Sequence, residues 1–225
     1  ADRSLRAALA PSCKYDRVMR HDWNEHYAAG NLPWDTGEPD EHLVRFVRGG
    51  GVAAGRALEI GCGTGTNGVW LAEQGFSVLG VDVSPLAVTK ANARLADRKR
   101  DCRFEVRDFL TESLPEGPFA FVFDRGCFHV FDDAATRERF AERVAALLAP
   151  GAVWLSLIGS TEGPPREEGP PRRSARDVTA AIEPALEIVE LRATVFETTL
   201  EAPPEAWFCL ARRRSSPAQP STRLE

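Results

Sequence analysis

The stretch Ala57-Leu58-Glu59-Ile60-Gly61-Cys62-Gly63-Thr64-Gly65-Thr66, followed about 20 residues later by Gly80-Val81-Asp82, constrains this chain more than any other feature. Ala57 to Ile60 read as a short buried strand. Three glycines at alternate positions then let the backbone turn tightly and approach a ligand with no Cβ in the way. Val69, Trp70 and Leu71 predict a helix whose N-terminal N–H groups face that ligand. Val78 to Val81 form a second strand ending in Asp82, placed to accept both hydroxyls of a ribose. Together they predict a nucleoside-type ligand over the carboxyl edge of a parallel sheet.

A dinucleotide fingerprint wants Gly or Ala where this chain has Thr66. The spacing here is Gly-x-Gly-x-Gly, with Glu59 two residues ahead of the first glycine. A carboxylate there suits a cationic ligand better than a pyrophosphate. Other motifs follow along the chain. Asn24 to Gly37 includes Tyr-Ala-Ala-Gly-Asn-Leu-Pro-Trp-Asp-Thr-Gly, and Asp124-Arg125-Gly126-Cys127-Phe128-His129 follows the apolar run Phe119 to Phe123. Gly163-Pro164-Pro165 lies in a proline-rich stretch from Gly159 to Arg173.

These motifs resemble the class I S-adenosylmethionine (SAM) methyltransferases, and within them the thiopurine, thiol/halide and tellurite-resistance group. The resemblance spans about residues 20 to 210. It implies SAM as cofactor and S-adenosylhomocysteine as product. It implies that Glu59, Gly61 and Gly63 shape the pocket for the methionine end, that Asp82 takes the ribose hydroxyls and that Val83 lies beside the adenine. Asp108 and Phe109 resemble the pair that bonds the adenine amino group and packs on its ring. Trp23 and Trp34 resemble aromatics over the methionine moiety, where a sulfonium on an indole face gains about 0.5–2 kcal/mol. Asp124 joins the expected cofactor residues, and Arg125 resembles an arginine near the acceptor. Arg125 and His129 are the catalytic candidates.

Each assignment has a structural counterpart. Trp23 is equally a core anchor, Asp108 a turn cap, and Arg125 a salt-bridge partner of Asp132 or Asp133. His129 is otherwise a hydrogen-bonded wall residue, and Cys127 a packed small side chain. The five cysteines make no C-x-x-C pair, and His129 stands two residues from Cys127, so no metal site is expected.

The remaining chain predicts a helix over 16–30, with Trp23, His26 and Tyr27 on one face. A second helix is capped by Asp40 and ended by Gly49-Gly50-Gly51. A third starts at Ser84-Pro85 and runs to about Arg98. Strands follow at 103–106 and 119–123, then a helix stopping at Pro150-Gly151, then a strand at 152–158. The stretch 159–173 is a long loop, read either as a lid with Arg166, Arg172 and Arg173 toward the acceptor or as a solvated excursion. Ser174-x-x-Asp177 opens a short helix, and 186–196 and 206–211 are strands. The expected fold is α/β: a single-domain, doubly wound, mostly parallel seven-stranded sheet with a C-terminal antiparallel strand pair. The expected bounds are a tail at 1–15, a methyltransferase domain at 16–211 and a tail at 212–225 ending in a Leu224-Glu225 vector scar. Met19 is a candidate natural start.

The net charge of −5 argues against a nucleic-acid surface. No apolar run reaches the roughly 18 residues of a membrane span, and no leader peptide is visible. A cytoplasmic monomer acting on a small-molecule acceptor is expected. Asp-Arg-Gly-Cys after the fourth strand, in place of an Asn/Asp-Pro-Pro motif, and the lack of a strong base point to a soft nucleophile: thiol, thiopurine, halide or chalcogen oxyanion. The alternatives are a small-molecule O- or N-methyltransferase, a non-catalytic SAM-binding module and a nucleotide-dependent reductase.

Overall fold

A computed structural model describes residues 23–30, 32–95, 100–114, 117–164 and 169–214. Among them are seven strands: β1 (Arg56–Ile60), β2 (Ser77–Asp82), β3 (Cys102–Val106), β4 (Phe119–Arg125), β5 (Leu148–Gly159), β6 (Glu187–Val195) and β7 (Glu205–Arg212). They lie in one sheet in the order β3-β2-β1-β4-β5-β7-β6. The first five pair in parallel, while β7 is antiparallel to both neighbours. The sheet is therefore mixed, with the expected antiparallel pair at one edge.

Helix α1 is described at 23–29; the predicted residues 16–22 lie outside the described residues. Then come α2 (Glu41–Arg48), α3 (Thr66–Glu73), α4 (Pro85–Leu95), α5 (Ala134–Leu147) and α6 (Ala175–Ile182). Strand side chains alternate between faces, so one strand feeds two cores. Ala57, Val78, Phe121, Phe123, Leu155 and Leu157 pack against Leu43 of α2 and Trp70 and Leu71 of α3. Leu58, Ile60, Val122 and Trp154 pack against Phe140 and Val144 of α5 and Val178 and Ile182 of α6. Burial on both faces is why β4 reads as an unbroken apolar run.

The predicted caps form. The Asp40 carboxylate accepts from His42 N–H at 2.9 Å, Ser84 Oγ from Ala87 N–H at 3.2 Å, and both halves of the Ser174–Asp177 box are made. Two boundaries differ. Helix α5 ends at Leu147 and the chain passes directly into β5, through Pro150 and Gly151. Leu148 pairs with Phe119 across a register shift, and Gly151 takes φ 76°, so an irregular strand absorbs the expected helix stop. At the other end β7 runs to Arg212, and the first three residues of the expected 212–225 tail, all arginines, are engaged. Arg212 forks onto Glu187, Arg213 bonds the Leu148 carbonyl, and Arg214 pairs with Glu183. No helix among the described residues is long and apolar enough to cross a membrane.

Candidate active site

The strand order reverses direction at β1, whose neighbours are β2 and β4, and the site opens at the carboxyl ends of these three. The turn after β1 needs its glycines: Gly61, Gly63 and Gly65 have φ of 69°, 53° and 79°. The Gly61 and Cys62 N–H groups both donate to the Val81 carbonyl, at 2.8 and 3.0 Å, which ties the turn to β2. A Cβ at Gly61 would meet Cys127 at 3.0 Å, and one at Gly63 would meet the Tyr27 hydroxyl at 3.0 Å.

Asp82 is the second tie. Its Oδ2 accepts from Gly63 N–H at 3.0 Å and its Oδ1 from Ser84 N–H at 2.8 Å. Burial pushes the carboxyl above its usual range, while those N–H groups hold it down. Each oxygen keeps a second lone pair for a ligand. Val83 beside it is half-buried.

Glu59 sits beneath the turn rather than in the cleft. It is 2% exposed, with Oε1 accepting from Asn67 Nδ2 at 3.2 Å. Its Oε2 makes no hydrogen bond of normal geometry. Burial pushes the carboxyl up to about 8, against the Asn67 amide and the Gly68 N–H. The side chain therefore supports the turn from below, through Asn67, instead of facing the cleft directly.

An aromatic group covers the turn. The Trp23 and Trp34 rings meet edge to face at 5.8 Å, with His26 at 5.9 Å and Tyr27 at 6.4 Å from Trp34. Side chains fasten this cover to the turn and to α4. Asn24 Oδ1 accepts from Ser84 Oγ at 2.6 Å. Lys90 Nζ donates to the Tyr27 carbonyl at 2.9 Å and lies 5.8 Å over the Tyr27 ring. Thr64 Oγ1 donates to Asp35 Oδ2 at 2.8 Å. Tyr27, only 6% exposed, has its hydroxyl pKa raised mainly by burial. Sequence reasoning placed Tyr27 on the same helical face as Trp23 without giving it a role. The i, i+4 spacing from Trp23 was the available signal; Asp35 and Thr64 offered none.

On the far side of the turn, Asp108 is half-buried and its Oδ1 accepts from Leu110 N–H at 2.8 Å. Phe109 points into the core, 4.6 Å from the Phe140 ring, with the Arg143 guanidinium 5.4 Å from its centroid. Asp124 is corrected more firmly. It is fully buried: Oδ1 accepts from the Cys127 and Phe128 N–H groups at 3.1 and 3.0 Å, and Oδ2 from Trp154 Nε1 at 2.9 Å. Burial pushes its carboxyl up to about 6. In the ligand-free chain its carboxylate shapes the turn after β4 from within.

Arg125 pairs with neither Asp132 nor Asp133. Asp132 bonds Arg173, and Asp133 caps α5. Arg125 Nε instead donates to Asp40 Oδ2 at 2.7 Å. His129 is 3% exposed, and its Nδ1 accepts from Gly159 N–H at 2.7 Å. That bond places the imidazole proton on Nε2. The ring is therefore a donor in the wall, and a general-base role at Nε2 would set two hydrogens against each other at Nδ1. The Cys127 thiol is pushed well up by burial and by Asp124, so it is a packed side chain rather than a nucleophile. No cluster able to hold a metal occurs among the described residues.

The expected arginines of the 159–173 loop are also committed. Arg172 donates to the carbonyls of Ser160 and Glu162 at 2.8 and 2.9 Å. Arg173 reaches the His129 carbonyl at 2.7 Å and Asp132 at 2.6 Å. Arg166 lies outside the described residues.

A tight left-handed turn that a Cβ would close, an acid at the β2 end and a pair of edge-to-face indoles beside them fit a nucleoside carrying a sulfonium. Comparison with known proteins agrees. The family profile described as Thiopurine S-methyltransferase (TPMT) matches residues 18–204. A probable thiol methyltransferase 2 of Arabidopsis thaliana is 32% identical over 151 residues, 66% of this chain and 65% of the relative. A 2-heptyl-1-hydroxyquinolin-4(1H)-one methyltransferase of Mycobacteroides abscessus is 29% identical over 144 residues, 63% of each chain. These matches span just under two thirds of the relatives' length. A structure solved in work on the conversion of a disulfide bond into a thioacetal group during echinomycin biosynthesis superposes with a TM-score of 0.77. It is 26% identical, covering 89% of this chain and 93% of that one. With the profile covering most of its length, the chain belongs to the thiopurine S-methyltransferase family of SAM-dependent enzymes.

Proposed function

We propose that the protein transfers a methyl group from SAM to a small soft nucleophile, a thiol above all. The observation that carries this is the glycine turn braced by Asp82 and roofed by Trp23, Tyr27 and Trp34. In this reading the Gly61–Gly63 backbone lines the methionine end and Asp82 accepts the ribose hydroxyls. Val83 and Asp108 flank the adenine, and Phe109 supports that wall from the core. The indoles of Trp23 and Trp34 offer their π faces to a cation, each worth about 0.5–2 kcal/mol. When bound, SAM supplies a methyl group already activated by its positive sulfur. The protein's share is to hold the acceptor in line and keep water out.

The proposed acceptor class is supported by what the residues do with protons. His129 carries its proton on Nε2 and is fixed by Gly159. The carboxyls of Asp124 and Glu59 are buried inside the fold. An acceptor that needs little help in losing a proton suits such a site, and a thiol with a pKa near 8.5 is one. A second reading, methylation of an acidic hydroxyl on an aromatic ring, has its own support. Arg125 is already neutralised by Asp40, which weakens any pull on small anions, and one relative acts on a hydroxyquinolinone.

Labelled SAM offered with thiols, thiopurines, iodide, selenite, tellurite, phenols and amines tests both. Turnover confined to the soft acceptors is expected. Turnover on phenols or amines alone overturns the soft-nucleophile reading, and S-adenosylhomocysteine binding without turnover favours a binding module.

A further inference from the structure

Arg125 closes β4 and gathers three separate segments. Its Nε donates to Asp40 Oδ2 at 2.7 Å, Nη1 to the Trp34 carbonyl at 3.2 Å, and Nη2 to the Glu197 carbonyl. The guanidinium also lies 5.3 Å over the Phe196 ring. The pair is well shielded, with 12% of the Arg125 side chain and 1% of the Asp40 side chain exposed. From Asp40 the connection continues to the floor of the site. The Asp40 N–H donates to Asn67 Oδ1 at 2.9 Å, and Asn67 Nδ2 donates to Glu59 Oε1 at 3.2 Å. An arginine set to receive an acceptor would keep its planar fork open on that side. Here the fork closes on the protein, and one of its partners is the backbone of the Trp34 roof.

We propose that the Asp40–Arg125 pair is a clasp that holds the 23–40 cover down on the glycine turn, so that Arg125 is a positioning residue for cofactor binding rather than a contact for the acceptor. The guanidinium joins the β4 end, the loop before α2 and the connection between β6 and β7, so losing it removes the tie at Trp34 and leaves the neighbouring Thr199 N–H on the Pro33 carbonyl, at 3.0 Å, to hold the cover there. That this cover closes on SAM rests on the function proposed above; the closure itself can be measured without any ligand.

The variants are R125K, D40N and the double substitution. Lysine keeps the charge but cannot reach Asp40 and two carbonyls at once. Asparagine keeps the α2 cap, since Asn and Asp cap equally well, and removes the ion pair. The first readout is chymotryptic cleavage between Trp23 and Trp34 of the ligand-free protein, well below its unfolding temperature. Cleavage about tenfold faster in each single variant, with no further gain in the double, is expected of a coupled pair. The second readout is S-adenosylhomocysteine affinity by calorimetry, expected to fall about tenfold or more in each variant. Cleavage at the wild-type rate in both variants overturns the clasp. So does an R125K enzyme that binds S-adenosylhomocysteine normally but needs more acceptor for half-maximal rate. Faster cleavage in the variants of a protein that binds no S-adenosylhomocysteine even as wild type leaves the clasp standing and defeats the cofactor reading.

Discussion

Glu59 shows how far a residue's environment decides its chemistry. Buried beneath the glycine turn, its carboxyl is raised from 4.5 to about 8. The folded state therefore holds a proton that the unfolded chain releases, and stability falls as pH rises from about 4.5 to 8. E59Q removes that dependence. The variant is expected to match wild type near pH 5 and to melt on the order of 5–10 °C higher at pH 8 by scanning fluorimetry; equal melting curves at pH 8 would refute a protonated Glu59. Asp82 has a different expectation, because its two oxygens satisfy buried N–H groups of the turn. D82A should weaken S-adenosylhomocysteine binding at least tenfold and destabilise the protein by about 1–3 kcal/mol, read by calorimetry and urea unfolding. For His129 the expected signature is kinetic. The pH profile of kcat/KM should follow the acceptor's own pKa across a series of thiols; a fixed limb near pH 6.5 for every acceptor would restore a histidine base. Asp82 was legible in the sequence because a strand-end acid follows from local pattern. The state of Glu59 was not, since it depends on how deeply the fold buries its carboxyl, which Asn67 and the Gly68 N–H only partly offset.

At the scale of elements, what was readable was local. Asp40, Ser84 and Ser174 were identifiable as caps because a cap involves residues two or three apart. Ser174→Ala should cost about 1 kcal/mol, a drop of about 2–4 °C in melting temperature. The end of α5 was misread because Pro150-Gly151 looks like a stop, while Leu148 is claimed by Phe119, an element away. The 159–173 loop was legible as irregular chain but not as a tied one. Its arms meet through Arg173 N–H on the Gly159 carbonyl at 2.7 Å and Thr161 N–H on the Arg173 carbonyl at 3.1 Å. Arg172 then draws in the carbonyls between. R172A should therefore speed thermolysin cleavage within the loop; an unchanged rate would mean that Arg172 holds nothing there. Likewise the partner of Arg125 was out of reach of local pattern, because Asp40 lies 85 residues earlier in the chain.

Across the whole molecule the buried acids act together. Burial raises Glu59, Asp82 and Asp124, whereas the carboxyls that hydrogen bonds lower, Glu41, Glu105, Asp133 and Asp177, are exposed or half-buried and weakly coupled. The ligand-free protein should accordingly be most stable near pH 5 and lose melting temperature steadily toward pH 8; a maximum above pH 7 would contradict the raised acids. The parallel half of the sheet was foreseeable because its strands arrive in alternation with helices. The order β5-β7-β6 was not, since strand pairs at the end of a chain carry no local mark of which one lies inside. That order has a consequence for how the protein comes into being. In chain order β6 is made before β7, yet its hydrogen-bonding partner is β7 and it does not pair with β5. While the chain is being synthesised, the open edge of β5 therefore stays unpaired until the residues from Glu205 to Arg212 emerge, when β7 can dock on it with β6 as its antiparallel partner. The nascent protein thus has a vulnerable interval, set by the spacing between its last two strands, in which an unfilled seam along β5 is open to any strand that arrives first.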